Sequence, residues 1–274
     1  MDGSIRINQT TLFYTERNPA AGTTIFFFHG NSSSRHTWKK IVEDNSLRDY
    51  RTVAFDLPAH GRSEAMHTSY SLPNIAAIMA EAVSKLADGK PLILVGASIG
   101  TNIVAEILNY QVHPLGVVLI GPCIVGGYIM FDAIAYPDTK VGVCFIDDPD
   151  ESEIEAMFRQ VVNRIDDTML NGFLRDFNRV KDGFRSGLSR TLAENDYSDE
   201  IALLKKAGIP ISVIAGAAEE LIIPDYLDDA GLNLWGNATH KIDHAGHWVH
   251  IDAPEYIGGL LYRYIEDRFR DILS

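Results

Sequence analysis

The stretch of this chain equipped for chemistry is Gly96-Ala97-Ser98-Ile99-Gly100. It follows the apolar run Leu92-Ile93-Leu94-Val95 and passes directly into a helical pattern over 101–108, so strand, sharp turn and helix succeed one another without a spacer. Small residues two before and two after the serine permit a turn tight enough to lift the Ser98 hydroxyl clear of its own backbone, a nucleophile elbow. The first turn of the next helix would aim unbonded N–H groups and a positive dipole end at that hydroxyl, favouring negative charge there. The pentapeptide alone also fits a glycine-flanked serine in an ordinary strand-to-helix turn. A serine hydroxyl is a weak nucleophile until an imidazole takes its proton, and that imidazole needs a carboxylate on its far nitrogen. Base, acid and oxyanion donors must therefore come from elsewhere in the chain.

The candidate base is His247, in Gly246-His247-Trp248 after the last short strand pattern. Candidate acids follow the apolar run 211–215, in Gly216-Ala217-Ala218-Glu219-Glu220, with Asp225 close behind. His240, His244, His247 and His250 crowd together, but they form neither a His-Glu-x-x-His nor a His-x-His-x-Asp-His run, so no metal is expected. His29 and His60 read as structural. No Gly-x-x-x-x-Gly-Lys and no dinucleotide fingerprint occurs, and no cofactor is expected.

The elements that must position these residues alternate. After an N-terminal hairpin over 5–15, strand patterns fall at 23–28, 51–55, 92–95, 115–120, 211–215 and 239–242, with helical patterns at 35–43, 72–86, 101–108, 225–229 and 254–272. Continuous apolar strands alternating with helices imply an α/β fold around a mostly parallel, doubly wound sheet. From 122 to 208 the pattern changes to short amphipathic helices, 152–164 and 169–180, the first opening with a capping-box pair, Ser152 and Glu155. We read 1–121 and 209–274 as the core domain and 122–208 as a helical cap over the carboxyl ends of the strands, where open α/β sheets bind ligands. Phe131, Tyr136, Phe145, Met157, Phe158, Met169, Phe173 and Phe177 would line the cap or pack its own core. The nearly uncharged 112–131 is broken by Pro114, Pro122 and four glycines, and reads as a buried strand and loop, not a membrane span.

The 274 residues carry a formal net charge of −13, which argues against a nucleic-acid partner. The acidic run Asp147-Asp148-Pro149-Asp150-Glu151 reads as a solvated loop. Cys123 and Cys144 are the only cysteines; each is expected to act as a small buried hydrophobe, and no disulfide framework is implied. The N-terminus lacks the basic start and apolar core of a secretory signal, so a mature chain beginning at Met1 in the cytoplasm is expected.

His29-Gly30 after the third strand, 56–63, the elbow at Ser98, Gly216 with an acid three residues on, and Gly246-His247-Trp248 together resemble the α/β-hydrolase fold family along essentially the whole chain. The resemblance implies that fold with a helical cap inserted after the strand following the elbow. It selects Glu219 over Glu220 and Asp225, and it places the oxyanion donors at the backbone N–H groups of Asn31 and Ile99. A serine where epoxide- and halide-processing members carry aspartate implies acyl transfer to water. His29 to Ser34, Tyr70-Ser71, Glu219, Asn233-Leu234-Trp235 and 239–247 are similar to the metal-independent N-acyl-homoserine lactonases of the fold, whereas Ala97, Ile99, Thr101 and the cap depart from them. The implied partner is a small ester or lactone. A cofactor-free C–C hydrolase, a perhydrolase and a non-catalytic small-molecule receptor are the alternative readings.

Overall fold

The computed structural model describes residues 1–273. β1 (Asp2–Ile7) and β2 (Thr10–Arg17) form the N-terminal hairpin, turning through Asn8 at φ 51°. There follow β3 (Thr24–Phe28), α1 (Lys39–Val42), β4 (Arg51–Phe55), α2 (Leu72–Ala87), β5 (Leu92–Ala97), α3 (Ile99–Ile107) and β6 (Gly116–Ile120). Between β6 and the next strand come α4 (Phe131–Ile134), α5 (Glu151–Val161), α6 (Asp167–Phe177), α7 (Phe184–Ala193) and α8 (Glu200–Ala207). The chain closes with β7 (Ile211–Gly216), β8 (His240–Ile242), α9 (Val249–Asp252) and α10 (Pro254–Leu273). The eight strands make one sheet in the order β1-β2-β4-β3-β5-β6-β7-β8, antiparallel at β1 and β2 and parallel from β4 to β8. This is an α/β-hydrolase architecture.

Strand periodicity explains the two cores. Phe26, Phe28, Leu92 and Leu94 point to the face covered by α2 and α3, while Ile25, Phe27, Ile93 and Val95 point to the face covered by α1 and α10. Ile257, Leu261, Tyr264 and Ile265 bury one side of α10, and full burial of each is worth about 1.5–3 kcal/mol. The carboxyl ends of β3, β5, β7 and β8 run into His29-Gly30-Asn31, Ser98, Glu219 and the 243–247 turn respectively, so the sheet brings the candidate residues to one edge.

Several local expectations change. Residues 35–43 are not one helix: a 3-10 turn, Arg35–Trp38, capped by Ser34 Oγ, leads into the single turn of α1. α5 begins at Glu151, one residue before the expected cap, so Ser152 lies inside the first turn and the Ser152–Glu155 capping box does not form. α6 starts at Asp167 instead of Met169 because Asp166 Oδ1 accepts from Met169 N at 2.8 Å. Residues 225–229 form turns, not a helix; Asp228 Oδ1 there accepts from the Thr239 N–H and hydroxyl. Among the described residues no helix is long and apolar enough to cross a membrane.

Candidate active site

Ser98 sits at φ 52°, ψ −127°, a backbone conformation that costs a non-glycine residue about 1–3 kcal/mol. Its surroundings hold it there: Ser98 N donates to Ile120 O at 2.9 Å, and Thr101 Oγ1 donates to Ser98 O at 2.6 Å. The flanking glycines are required by space, since a Cβ on Gly96 would collide with the Gly100 carbonyl and one on Gly100 with the Phe28 carbonyl. The Ile99 N–H opens α3, where first-turn donors have no intrahelical partner.

His247 Nδ1 donates to Glu219 Oε2 at 2.7 Å, and both side chains are about 1% exposed. Glu219 Oε1 accepts from the backbone N–H of Leu221 at 2.7 Å, so the carboxylate is oriented by its own turn. Burial raises the Glu219 carboxyl, but the charge and hydrogen bond of His247 and two backbone donors outweigh it and hold the group below its ordinary 4.5. Burial likewise disfavours the His247 imidazolium, but the Glu219 carboxylate and the Cys123 sulfur beside the ring outweigh that and push it up to about 10. Gly121, at φ 51°, leaves the ring room: a Cβ there would stand 3.0 Å from Nδ1. Glu220 is exposed, and Asp225 is occupied by Lys241 Nζ at 2.6 Å.

Cys123 stands beside both Ser98 and the His247 ring. Cys123 Sγ lies 3.8 Å from Ser98 Oγ, while His247 Nε2 is buried without a hydrogen-bond partner. Free enzymes often hold such groups apart until substrate draws them together. Asn31 is nearly buried; its Nδ2 donates to Cys144 O at 2.9 Å and its Oδ1 accepts from Ser32 Oγ at 2.9 Å, so the side chain braces the loop and leaves its backbone N–H as the candidate donor. Ser32 Oγ in turn accepts from Arg185 Nε of α7 at 2.9 Å.

The other histidines hold backbone. His29 Nε2 accepts from Leu57 N at 3.0 Å and His60 Nε2 from Ser32 N at 3.1 Å; burial pushes them down to about 4 and about 3. His240 bonds the Trp235 carbonyl, and His250 stacks on Trp38. Among the described residues no three His, Cys, Asp or Glu side chains are placed to hold a metal ion.

A cavity of about 520 Å³ opens above Ser98, walled by Ile99 and Asn102 of α3, Cys123, and the 130–145 and 189–197 stretches. Phe131 and Phe145 line it, whereas Met157, Phe158 and Phe177 are core, Met169 and Phe173 line a separate groove, and Tyr136 is exposed. Asp132 is the cavity's one charged wall residue. Sequence reasoning missed Asn102, Arg185, Glu200 and the position of Cys123. Cys123 is half-buried on the cavity wall, against the expectation of a core thiol, because the turn after β6 carries it to the carboxyl edge of the sheet; Cys144 is buried as expected. A signal existed for two of them: Asn102 is one helical turn beyond Ser98, and Cys123 lies three residues past a parallel strand's end.

Among solved structures, the N-acyl homoserine lactonase AidH, in a mutant form complexed with N-hexanoyl homoserine lactone, superposes with a TM-score of 0.86 at 22% identity, over 98% of this chain and 99% of that one. A serine hydrolase from Cycloclasticus zankles superposes with a TM-score of 0.77 at 19% identity, over 98% of this chain and 99% of that one. Among curated proteins, the magnesium-chelatase 30 kDa subunit of Rhodobacter capsulatus is 23% identical over 281 residues, 95% of this chain and 93% of that protein. An AB hydrolase superfamily protein of Gibberella zeae is 29% identical over 125 residues, 46% of this chain and 42% of that protein, so the match spans less than half of either. The model of the alpha/beta hydrolase family matches residues 25–257, and the chain belongs to that family.

Proposed function

We propose that Ser98, His247 and Glu219 hydrolyse a neutral carboxylic ester or lactone through an acyl-enzyme, under a cap formed by 122–208. The observation that carries this reading is the buried 2.7 Å bond from His247 Nδ1 to Glu219 Oε2, which leaves Nε2 without a hydrogen-bond partner. His247 takes the Ser98 proton as Oγ attacks the carbonyl carbon. The N–H groups of Asn31 and Ile99 hold the oxyanion, and such a donor is worth about 10²–10³-fold in rate. His247 then returns the proton to the leaving oxygen, which in a lactone stays tethered to the acyl group. Water, deprotonated by the same ring, releases the acid, and Glu219 remains ionised throughout.

The cavity supports the substrate class. Its wall is mainly apolar, offers no lysine or arginine, and carries Asp132, so an uncharged acyl chain is favoured over an anionic one. The lactonase among the structural relatives makes N-acyl homoserine lactones the first lactones to test. A panel of aryl esters, N-acyl homoserine lactones, simple lactones and diketones, run on wild type and Ser98→Ala with products identified by mass, tests the reading. Ester or lactone opening lost in Ser98→Ala is the expected result. Cleavage of diketones alone, or undiminished turnover in the variant, would discard it.

A further inference from the structure

Cys123 is built into the cavity rather than left in its wall by chance. Its backbone is fixed from both sides by α3: Cys123 N donates to Thr101 Oγ1 at 3.0 Å, and its carbonyl accepts from Asn102 Nδ2 at 2.7 Å. The thiol is thereby held 3.8 Å from Ser98 Oγ and 3.8 Å from the Gly121 carbonyl. Cys123 lines the cavity and His247 does not, and the Cys123 sulfur lies against the His247 ring, whose Nε2 is buried and unpartnered. Two candidate nucleophiles, Ser98 Oγ and Cys123 Sγ, thus stand 3.8 Å apart next to that ring. They differ in kind: oxygen prefers the hard carbon of an ester carbonyl, and sulfur prefers a polarisable, electron-poor alkene.

We propose that Cys123 is a covalent ligand site for α,β-unsaturated carbonyl compounds that enter the cavity, with His247 moving the proton. His247 Nε2 takes the thiol proton, Sγ bonds to the β-carbon, and the alkene π pair shifts to give an enolate. The imidazolium then returns the proton to the α-carbon, so the adduct is a thioether and nothing else is consumed. The adduct fills the space beside Ser98 and closes the cavity to esters. This rests on the reading of His247 as the base of this pocket. Cys144 is an internal control, because it is buried and burial pushes its thiol up to about 12.

The test is N-ethylmaleimide on the folded protein, followed by intact mass, peptide mapping and ester turnover. We expect one adduct, on Cys123 and not Cys144, with turnover lost in step. Ser98→Ala should still take the adduct, and Cys123→Ser should take none. His247→Gln should slow addition at least about tenfold; if that variant melts early, Glu219→Gln serves as the second variant, with a slower addition expected as well. Modification of Cys144 in preference, no adduct on Cys123, or wild-type rates in folded His247→Gln or Glu219→Gln would overturn the proposal. A fluorophosphonate reaction run in parallel separates the two readings. Labelling of Ser98 with no maleimide adduct removes only this proposal, whereas failure of both removes the hydrolase reading with it.

Discussion

Glu219 is held at both oxygens: Oε2 accepts from His247 Nδ1 and Oε1 from the Leu221 N–H, each at 2.7 Å. Rotation of the carboxylate away from the imidazole would break a backbone bond as well, whereas Glu220, one residue on, is exposed. Glu219→Gln should therefore lower kcat by about 10²–10⁴-fold, because an amide no longer fixes the Nδ1–H form or steadies the imidazolium. Glu220→Gln should stay within about twofold of wild type. Steady-state kinetics on an aryl ester checks both, and equal losses in the two variants would contradict the assignment.

The Glu219 carboxylate also sets the pH range. It holds His247 above the ordinary imidazole value of 6.5, so the neutral, base-competent ring is gained only as pH rises through the elevated pKa. We expect kcat/KM to climb on an ascending limb alkaline of about 6.5 and Glu219→Gln to move that limb down. A limb at or below the ordinary value in wild type would contradict this.

Glu200 opens α8 and is fully buried, accepting from Val125 N at 2.9 Å and Asn102 Nδ2 at 2.8 Å, with no cation within salt-bridge distance among the described residues. Burial first, and then the nearby Glu106 and Asp199 carboxylates, push it well above its ordinary 4.5 despite those donors. Its sign is the reverse of a salt-bridged acid: the unfolded chain releases this proton near the ordinary value and the folded chain does not, so stability falls as pH rises above 4.5 toward the folded pKa. Glu200→Gln, which copies the protonated form, should melt several degrees above wild type near about pH 8 and converge with it near about pH 4. Thermal melts across that range give the answer; a constant difference at all pH values would contradict it.

Arg185 reaches the Asn31 loop beside Ser98 through others. It lies 3.8 Å over the Phe177 ring and donates to Ser32 Oγ, which donates to Asn31 Oδ1. Arg185→Met should loosen the Asn31 loop and lower kcat about tenfold while KM stays within about threefold, because a small misplacement of an oxyanion donor acts on the transition state. Arg185→Lys, which keeps a donor to Ser32, should recover part of that loss. A change in KM alone would assign Arg185 to substrate binding instead.

The framework was legible in the sequence because its signals are local: apolar runs such as Phe26-Phe27-Phe28 mark doubly covered strands, and glycines at 96 and 100 mark a turn that tolerates no Cβ. The 122–208 segment was legible only as helical. Which of its aromatics face the cavity depends on how short amphipathic helices pack against one another, so Phe131 and Phe158, alike in sequence, end on the wall and in the core. Helix starts shifted by a residue, as at α5, for the same reason: a first turn is set by its docked position as much as by its capping residue. Arg185, Glu200 and Asn102 act through partners 153, 75 and 98 residues away, separations at which no spacing pattern exists.

Rapid-quench mass spectrometry of the wild-type protein mixed with a chromogenic short-chain ester decides whether Ser98 carries the acyl group. An acyl group should appear within the first turnover, mapped to the peptide containing Ser98, and be absent in Ser98→Ala. Product formation with the acyl group on no residue, or on one other than Ser98, would contradict the assignment.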